Sequence, residues 1–174
     1  MKYKYILLDR DGTLIKHVPY LNDPNLVEIL PNTIEGLKYL SDLGFRFGII
    51  SNQSGIAQGK ISEYAVLAIN KKILDIFECN SVYIDFIYFC PHSSGNLCLC
   101  RKPETALGLL AIQTFMIDVS LSYMVGDADV DMKFGKAIGV KTIRVGLNMD
   151  RNFQSDYTTI DILTAAKIIE TESS

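Results

Sequence analysis

The stretch Tyr5-Ile6-Leu7-Leu8-Asp9-Arg10-Asp11-Gly12-Thr13 decides the fold of this chain. Its first residues are apolar and lack polar alternation, which is typical of a strand that is buried on both faces. Two carboxylates, Asp9 and Asp11, follow with one residue between them, and Gly12 then permits a tight turn of the backbone. The stretch therefore predicts a buried strand, residues 5–9, that ends in a pair of acidic side chains.

The rest of the chain alternates short apolar runs with longer helical stretches. Helical periodicity is clear in residues 62–77, where a serine cap precedes a pattern that places Ala65, Ile69, Leu74 and Phe77 on the inner face. Such alternation predicts an α/β fold, a three-layer doubly wound parallel sheet with its ligand site at the carboxyl ends of the strands. The other predicted strands are 46–51, 85–90, 122–125 and 141–145, and the other predicted helices are 33–43, 104–115, 129–138 and a last one near 160–170.

Length and composition limit the class of protein. The 174 residues fit a single domain, 1–174, with no insertion large enough for a cap domain, and residues 10–31 are interpreted as a flap over the site. The net charge of −3 gives no basic footprint for nucleic acid. No segment approaches the ~20 apolar residues of a membrane span, and the N-terminus does not resemble a signal peptide. We therefore expect a cytoplasmic monomer that binds neither nucleic acid nor membrane.

The acidic pair can perform phosphoryl chemistry. Because side chains alternate along a strand, Asp9 and Asp11 should point towards one site. One carboxylate can attack phosphorus and form an acyl phosphate, and the other can protonate the leaving oxygen and then activate water. An acidic turn after a strand is the alternative that the pair alone leaves open.

Three later segments supply partners for this chemistry. Residues 51–55, Ser-Asn-Gln-Ser-Gly, offer the Ser51 hydroxyl and successive backbone N–H groups to a phosphoryl oxygen. Lys102, preceded by Arg101, offers a fixed cation, and Asp127 offers a carboxylate to an oxygen-liganded cation such as Mg²⁺. Taken singly, these segments could equally be a serine turn, a solvated basic pair and an acidic helix N-terminus.

A second metal site is predicted in the loop 90–102. Cys90, His92, Cys98 and Cys100 supply three thiolates and an imidazole, the donor set of a closed, tetrahedral structural Zn²⁺ site. The alternative is three buried cysteines beside an exposed histidine. Cys79 lies outside this group and is interpreted as a small hydrophobic residue.

Together and in this order, the segments resemble the haloacid dehalogenase (HAD) superfamily of phosphotransferases, over the chain from Tyr5 to about Gly146. The resemblance implies magnesium-dependent hydrolysis of a phosphate monoester. The roles that it implies are Asp9 as nucleophile, Asp11 as acid/base, Ser51 and Lys102 as phosphoryl holders, Asp9, the Asp11 backbone carbonyl and Asp127 as Mg²⁺ ligands, and Asp131 as a supporting carboxylate.

With the Cys/His cluster included, the pattern resembles the D-glycero-D-manno-heptose 1,7-bisphosphate phosphatases and the related histidinol-phosphate phosphatases, which lack a cap domain. This resemblance implies a small phosphorylated sugar as substrate, cleaved at the 7-phosphate, in the synthesis of a surface-polysaccharide precursor. Histidinol phosphate, another small sugar phosphate or bisphosphate, and a non-catalytic binding module stay open as alternatives; turnover of a phosphate ester would exclude the last. The residues expected to bind substrate are Asn52, Gln53, Ser54, Gly55 and Arg101.

Overall fold

A computed structural model describes residues 1–146 and 152–173 of the chain. Residues 147–151 and 174, which the predicted domain 1–174 includes, lie outside the described residues. Within these two ranges, no helix combines the length and apolarity needed to cross a lipid bilayer. The monomeric state and the cytoplasmic location stay predictions.

The described residues form one parallel sheet of six strands. In chain order these are β1 (Tyr5–Leu8), β2 (Arg46–Asn52), β3 (Ile84–Cys90), β4 (Tyr123–Gly126), β5 (Lys141–Arg144) and β6 (Tyr157–Thr158). Their order in the sheet is β3-β2-β1-β4-β5-β6, and every pair is parallel. The acidic stretch that follows β1 therefore lies at the centre of the sheet.

In the part of the chain that the structure describes, five α-helices cover the two faces of the sheet, which confirms the predicted three-layer α/β fold. They are α1 (Thr33–Asp42), α2 (Glu63–Cys79), α3 (Ala106–Thr114), α4 (Asp129–Ile138) and α5 (Ile162–Ser173). Alternate residues of β1 enter different cores. Leu8 packs with side chains of α1, α2 and α5, whereas Leu7 packs with side chains of α3 and α4. This burial on both faces is the physical reason for the continuous apolar run.

The predicted elements differ from the structure in a few places. The strand β6 was not predicted, because two residues are too short to show a strand period. The helix predicted from residue 104 begins at Ala106, since the N–H of Glu104 closes a turn on the carbonyl of Arg101. On α2, Ile69 and Phe77 are buried as predicted, whereas Ala65 and Leu74 are only half-buried.

The segment 10–31 is anchored to the main body of the fold. Leu14, Ile15 and Leu21 are buried in the core, and Ile15 forms an isolated bridge with Ile29. His17 is exposed and lines the cavity at the carboxyl edge of the sheet. The segment thus contributes one wall of that cavity.

Candidate active site

A cavity of about 260 Å³ lies at the carboxyl edge of the sheet, where β1, β2 and β4 end side by side. Asp9 follows β1, and its N–H still bonds the carbonyl of Val125 at 2.9 Å. Asp127 follows β4, the neighbour of β1, so the sheet itself brings these two carboxylates together. The side chains that line this cavity are those of Asp9, Asp11, His17, Asn52, Arg101, Lys102, Asp127, Ala128, Val130 and Asp131.

A buried ion pair lies at the base of this cavity. The ammonium of Lys102, which is 2 % exposed, donates to Asp9 Oδ1 at 2.6 Å and to the carbonyl of Ile50 at 2.6 Å. It also lies 2.7 Å from Asp131 Oδ1. Burial lowers the pKa of Lys102, but the carboxylates of Asp131 and Asp9 outweigh burial and raise this pKa well above its ordinary value. The lysine is therefore a fixed, permanently charged cation beside Asp9.

Negative charge exceeds positive charge in the cavity. Burial raises the pKa of Asp9 to about 7, although Lys102 opposes the shift. Burial and the charge of Asp9 raise the pKa of Asp127 to about 6. Carboxylate oxygens of Asp9, Asp127 and Asp131 lie within 4.8 Å of one another. Oxygen donors with uncompensated negative charge are the ligands that a hard cation such as Mg²⁺ requires, so the residues present fit this metal.

Within that set, Asp131 is already engaged. Its Oδ1 faces Lys102, and its Oδ2 accepts from the N–H of Ala128 at 3.1 Å, at the start of α4. In the described residues, the hydrogen bonds from other side chains to Asp9 and Asp127 reach only Oδ1 of each. Oδ2 of Asp9 and Oδ2 of Asp127 are therefore the carboxylate oxygens best placed to bind a metal ion.

The turn at Gly12 depends on the absence of a side chain. Its φ is +86°, and a Cβ built on it would lie 2.5 Å from Oδ2 of Asp127. Both the backbone conformation and the close approach of Asp127 therefore require glycine here. This turn lets the β1 loop pack directly against the acidic loop after β4.

The carboxylate of Asp11 is held by two neighbours. Arg10 donates through Nε to Oδ2 at 2.9 Å and through Nη2 to Oδ1 at 3.2 Å. Gln53 donates through Nε2 to Oδ2 of Asp11 at 2.9 Å and to Oγ of Ser51 at 2.5 Å. Gln53, expected to bind substrate, thus lies between the acid/base candidate and the hydroxyl candidate.

The remaining residues of the 51–55 segment have two different surroundings. Asn52 forms a reciprocal pair with the backbone of Lys102, both bonds being 3.0 Å, so it ties the end of the Cys/His loop to β2. Ser54 and Gly55 line a second cavity of about 250 Å³, which Asp11 and His17 also line. The two cavities are therefore adjacent.

The structure brings the predicted zinc ligands together. The side-chain donor atoms of the four residues lie within 4.8 Å of one another. Cys90 Sγ is 3.8 Å from Cys98 Sγ, and His92 Nδ1 is 3.3 Å from Cys100 Sγ. The contacts within the group range from 3.1 to 3.8 Å. Four ligands about 2.3 Å from a tetrahedral zinc ion would be about 3.8 Å apart, so the donors are at, or slightly inside, the spacing that such an ion requires. Cys79 is exposed rather than buried and lies outside the group, at the end of α2.

The Cys/His loop also borders the candidate active site. Arg101 donates to the carbonyl of His92 at 3.2 Å. Together with Leu97, Leu99 and Lys102, it lines a cavity of about 620 Å³. This cavity adjoins the one at the carboxyl edge of the sheet, because Arg101 and Lys102 line both.

Sequence reasoning missed Arg144, a buried cation that holds the acidic loop. Its guanidinium donates to the carbonyl of Asp127 at 3.0 Å, to Asp129 Oδ1 at 2.5 Å and to the carbonyl of Phe153 at 2.9 Å. A charged residue inside a strand predicted to be buried was the available signal, since such a charge requires a partner. His17, Arg10 and Asn70, which contacts Arg10, were also missed.

Comparison with known proteins gives consistent similarities. Residues 99–159 match the HAD-hydrolase-like family model. The D-glycero-beta-D-manno-heptose-1,7-bisphosphate 7-phosphatase of Pasteurella multocida is 34% identical, and the match covers 96% of this chain and 97% of that protein. The probable D-glycero-D-manno-heptose-1,7-bisphosphate 7-phosphatase of Thermoplasma volcanium is 36% identical over 136 residues, covering 78% of this chain and 93% of the relative.

Two further similarities are a match to part of a longer protein and a structural similarity to a solved protein. The histidine biosynthesis bifunctional protein HisB of Legionella pneumophila is 31% identical over 145 residues, which cover 82% of this chain but only 41% of that protein. The crystal structure of a D,D-heptose 1,7-bisphosphate phosphatase from B. bronchiseptica, complexed with magnesium and phosphate, superposes with a TM-score of 0.88 at 22% identity, covering 97% of this chain and 99% of the other. At 22% sequence identity, this structural similarity shows that the two proteins share a fold.

Proposed function

The chain belongs to the D-glycero-D-manno-heptose-1,7-bisphosphate 7-phosphatase family of HAD-like hydrolases, and from this premise we propose that it hydrolyses the 7-phosphate of D-glycero-D-manno-heptose 1,7-bisphosphate. One observation carries the proposal. Asp9, Asp11 and Lys102 line one cavity at the carboxyl edge of the sheet, where Ser51 and Asp127 also lie. An active site for phosphoryl transfer needs a nucleophile, an acid, fixed cations and hydroxyl donors in this proximity.

In the first step, a carboxylate oxygen of Asp9 attacks phosphorus and the ester bond to the sugar oxygen breaks. Asp11 gives its proton to that oxygen, which leaves as the sugar hydroxyl. Asp9 then carries an acyl phosphate. Lys102 and Ser51 hold the oxygens of the transferred group, and the bonds of Lys102 to Asp9 and Asp131 support this role.

In the second step, Asp11, now ionised, takes a proton from water while the water oxygen attacks phosphorus. The acyl phosphate bond breaks, so Asp9 recovers its carboxylate and inorganic phosphate leaves. Magnesium bound by Asp9, Asp127 and the backbone carbonyl of Asp11 would offset the charge of the phosphoryl oxygens in both steps.

Two observations favour the heptose bisphosphate as substrate: the share of each relative's length that is matched, and the volume of the cavity beside the candidate site. The heptose bisphosphate phosphatases of P. multocida and T. volcanium match over 97% and 93% of their length, whereas HisB matches over 41%. The cavity of about 620 Å³ beside the catalytic one has room for a sugar, and Arg101 offers a cation to its second phosphate. Histidinol phosphate has no second phosphate for Arg101 to bind.

A turnover assay with matched variants tests this function. We expect kcat/KM for the heptose bisphosphate to exceed that for histidinol phosphate by at least about 10-fold, since an unpaired charge in a binding site costs affinity. Arg101→Gln should lower kcat/KM for the bisphosphate more than for p-nitrophenyl phosphate, whereas Lys72→Gln, on the exposed side of α2, should change neither. Preference for histidinol phosphate, or equal losses on both esters, would contradict the assignment.

Magnesium binding should strengthen as pH rises. The pKa values of Asp9 and Asp127 are about 7 and about 6 in the folded protein, above the ordinary value of 3.8. Between pH 3.8 and these raised values, the metal-free folded protein therefore binds more protons than the unfolded protein does. Its stability therefore falls as pH rises from about 4 to about 7. Magnesium competes with these protons, so the Mg²⁺-induced rise in Tm should be larger near pH 8 than near pH 5.

Thermal unfolding with and without MgCl₂, at matched ionic strength, measures this difference. Asp127→Asn should reduce both the Mg²⁺-induced rise in Tm and its pH dependence. A rise that is the same at both pH values in the unmodified protein would show that these carboxylates are not the ligands.

We also propose that Cys90, His92, Cys98 and Cys100 bind one structural zinc ion. Cys98→Ser should lower the zinc content measured by elemental analysis, the Tm, and kcat, because Lys102 follows directly after this loop. Cys79→Ser, outside the cluster, is the matched control and should retain all three. Equal zinc content in the two variants would count against the site.

A further inference from the structure

Arg10, the residue between Asp9 and Asp11 in the sequence, has a buried side chain. The side chain is 1 % exposed and is among the largest fully buried side chains in the described residues. A charged group at this depth is costly unless hydrogen bonds compensate it. Nε and Nη2 bond the carboxylate of Asp11, and Nη1 donates to Oδ1 of Asn70 at 2.8 Å.

Asn70 is a polar residue on an otherwise apolar face of α2. Val66, Ile69 and Ile73 of the same helix are fully buried in the core, and Asn70 is 6 % exposed among them. An amide in this position costs stability unless it is bonded, and its bond is to Arg10. Helix α2 is packed along its length, so Asn70 gives the guanidinium a rigid anchor 60 residues away in sequence.

We propose that Asn70 and Arg10 are positioning residues for Asp11: Asn70 fixes the guanidinium, and the guanidinium fixes the rotation of the Asp11 carboxylate. This inference rests on the proposed phosphatase function. Oδ2 of Asp11 accepts bonds from Arg10 and Gln53, both at 2.9 Å, whereas Oδ1 accepts the longer bond of 3.2 Å. Oδ1 is therefore the oxygen left to carry the proton that passes to the leaving group.

The positioning role has a chemical signature. A sugar alkoxide is a poor leaving group and needs the proton of Asp11 as the ester bond breaks, whereas p-nitrophenolate leaves without one. Displacement of Asp11 should thus slow the transfer of phosphate to Asp9 from the sugar ester and leave the same step with the aryl ester nearly unchanged. A general loss of structure would slow both.

Paired substitutions at Asn70 test this signature. Asn70→Leu keeps the size and removes the acceptor, whereas Asn70→Asp keeps an acceptor oxygen for Arg10. In single-turnover assays, we expect Asn70→Leu to slow transfer from the heptose bisphosphate by about 10-fold and from p-nitrophenyl phosphate by less than about 3-fold. Asn70→Asp should stay within about 2-fold of the unmodified protein on both esters, and KM should not change.

Equal slowing on both esters by Asn70→Leu, or equal losses in both Asn70 variants, would overturn the proposal. If Asn70→Leu does not fold, Arg10→Lys is the second variant, since it keeps the positive charge but cannot bond Asp11 and Asn70 at the same time as the planar guanidinium does. It should likewise slow transfer from the heptose bisphosphate more than transfer from p-nitrophenyl phosphate. A crystal structure of either variant gives a second readout, and an unmoved Asp11 carboxylate there would also overturn it. Absence of turnover by the unmodified protein would instead contradict the proposed function, while the crystal structure still decides the position of Asp11.

Discussion

Asp9→Asn is expected to lower kcat by at least about 10³-fold on every phosphate ester, because an amide cannot act as the nucleophile that forms the acyl phosphate. The substitution is nearly isosteric. Lys102 keeps its bond to the carbonyl of Ile50 and its contact with Asp131. Loss of a carboxylate whose pKa burial already raises to about 7 should not lower the Tm. Steady-state assays and thermal unfolding measure the two effects.

Trapping of the intermediate separates the covalent mechanism from its alternatives. Rapid acid quench during turnover should yield phosphorylated protein from the unmodified chain and none from Asp9→Asn. The matched control is Asp42→Asn, an exposed carboxylate at the end of α1, which should retain activity and phosphorylation. Full activity in Asp9→Asn, or a phosphoryl group on another residue, would contradict the proposed mechanism.

Lys102→Met should have the largest effect on stability. It removes the ammonium that bonds Asp9 and faces Asp131, and leaves two carboxylates buried together without a cation. Breaking a buried pair in this way costs about 3–5 kcal/mol in the free energy of unfolding. The loss should be greatest near pH 8 and smaller near pH 5, where Asp9, with its raised pKa of about 7, can take up a proton. Denaturant unfolding at the two pH values measures it.

The double variant Lys102→Met/Asp131→Asn separates stability from catalysis. Removal of one buried carboxylate relieves the repulsion, so at least half of the lost stability should return. The activity should stay at least about 10²-fold below that of the unmodified protein, because the ammonium proposed to hold the phosphoryl oxygens is still missing. A double variant as unstable as the single one, or one with normal activity, would contradict the role of this lysine.

Features that depend on neighbouring residues could be predicted from the sequence. The apolar run of β1, the serine cap of α2 and the left-handed Gly139 after α4 are local patterns, and each element begins or ends where its pattern indicates within one or two residues. The Cys/His cluster is also local, since its four donors lie within eleven residues. A parallel sheet brings the carboxyl ends of its strands to one edge, so the strand pattern places Asp9 and Asp127 at the same edge. That β4 lies directly beside β1, and so brings the two carboxylates together, is shown only by the structure.

Contacts between side chains that lie far apart in the sequence could not be predicted in this way. Asn70 appeared as an ordinary residue of a helix, and only the packing of α2 under the β1 loop brings its amide to Arg10. The bond of Asn52 to the backbone of Lys102 and that of Arg144 to the carbonyl of Asp127 likewise join separate elements. Periodicity tells which face of an element is buried, but it does not identify the group on another element that satisfies a buried donor or acceptor.

The acidic stretch after β1 has some features that the local sequence determines and others that depend on tertiary packing. By itself, the sequence determined that a buried strand ends in two carboxylates and a glycine turn, because apolar runs and glycine act locally on the backbone. Only the tertiary structure decided that Asp9 faces a buried lysine while Asp11 is held by Arg10 and Gln53. The physical reason is that the surroundings of each carboxylate, and hence its charge and orientation, come from β2, α2, α4 and the Cys/His loop packed around it.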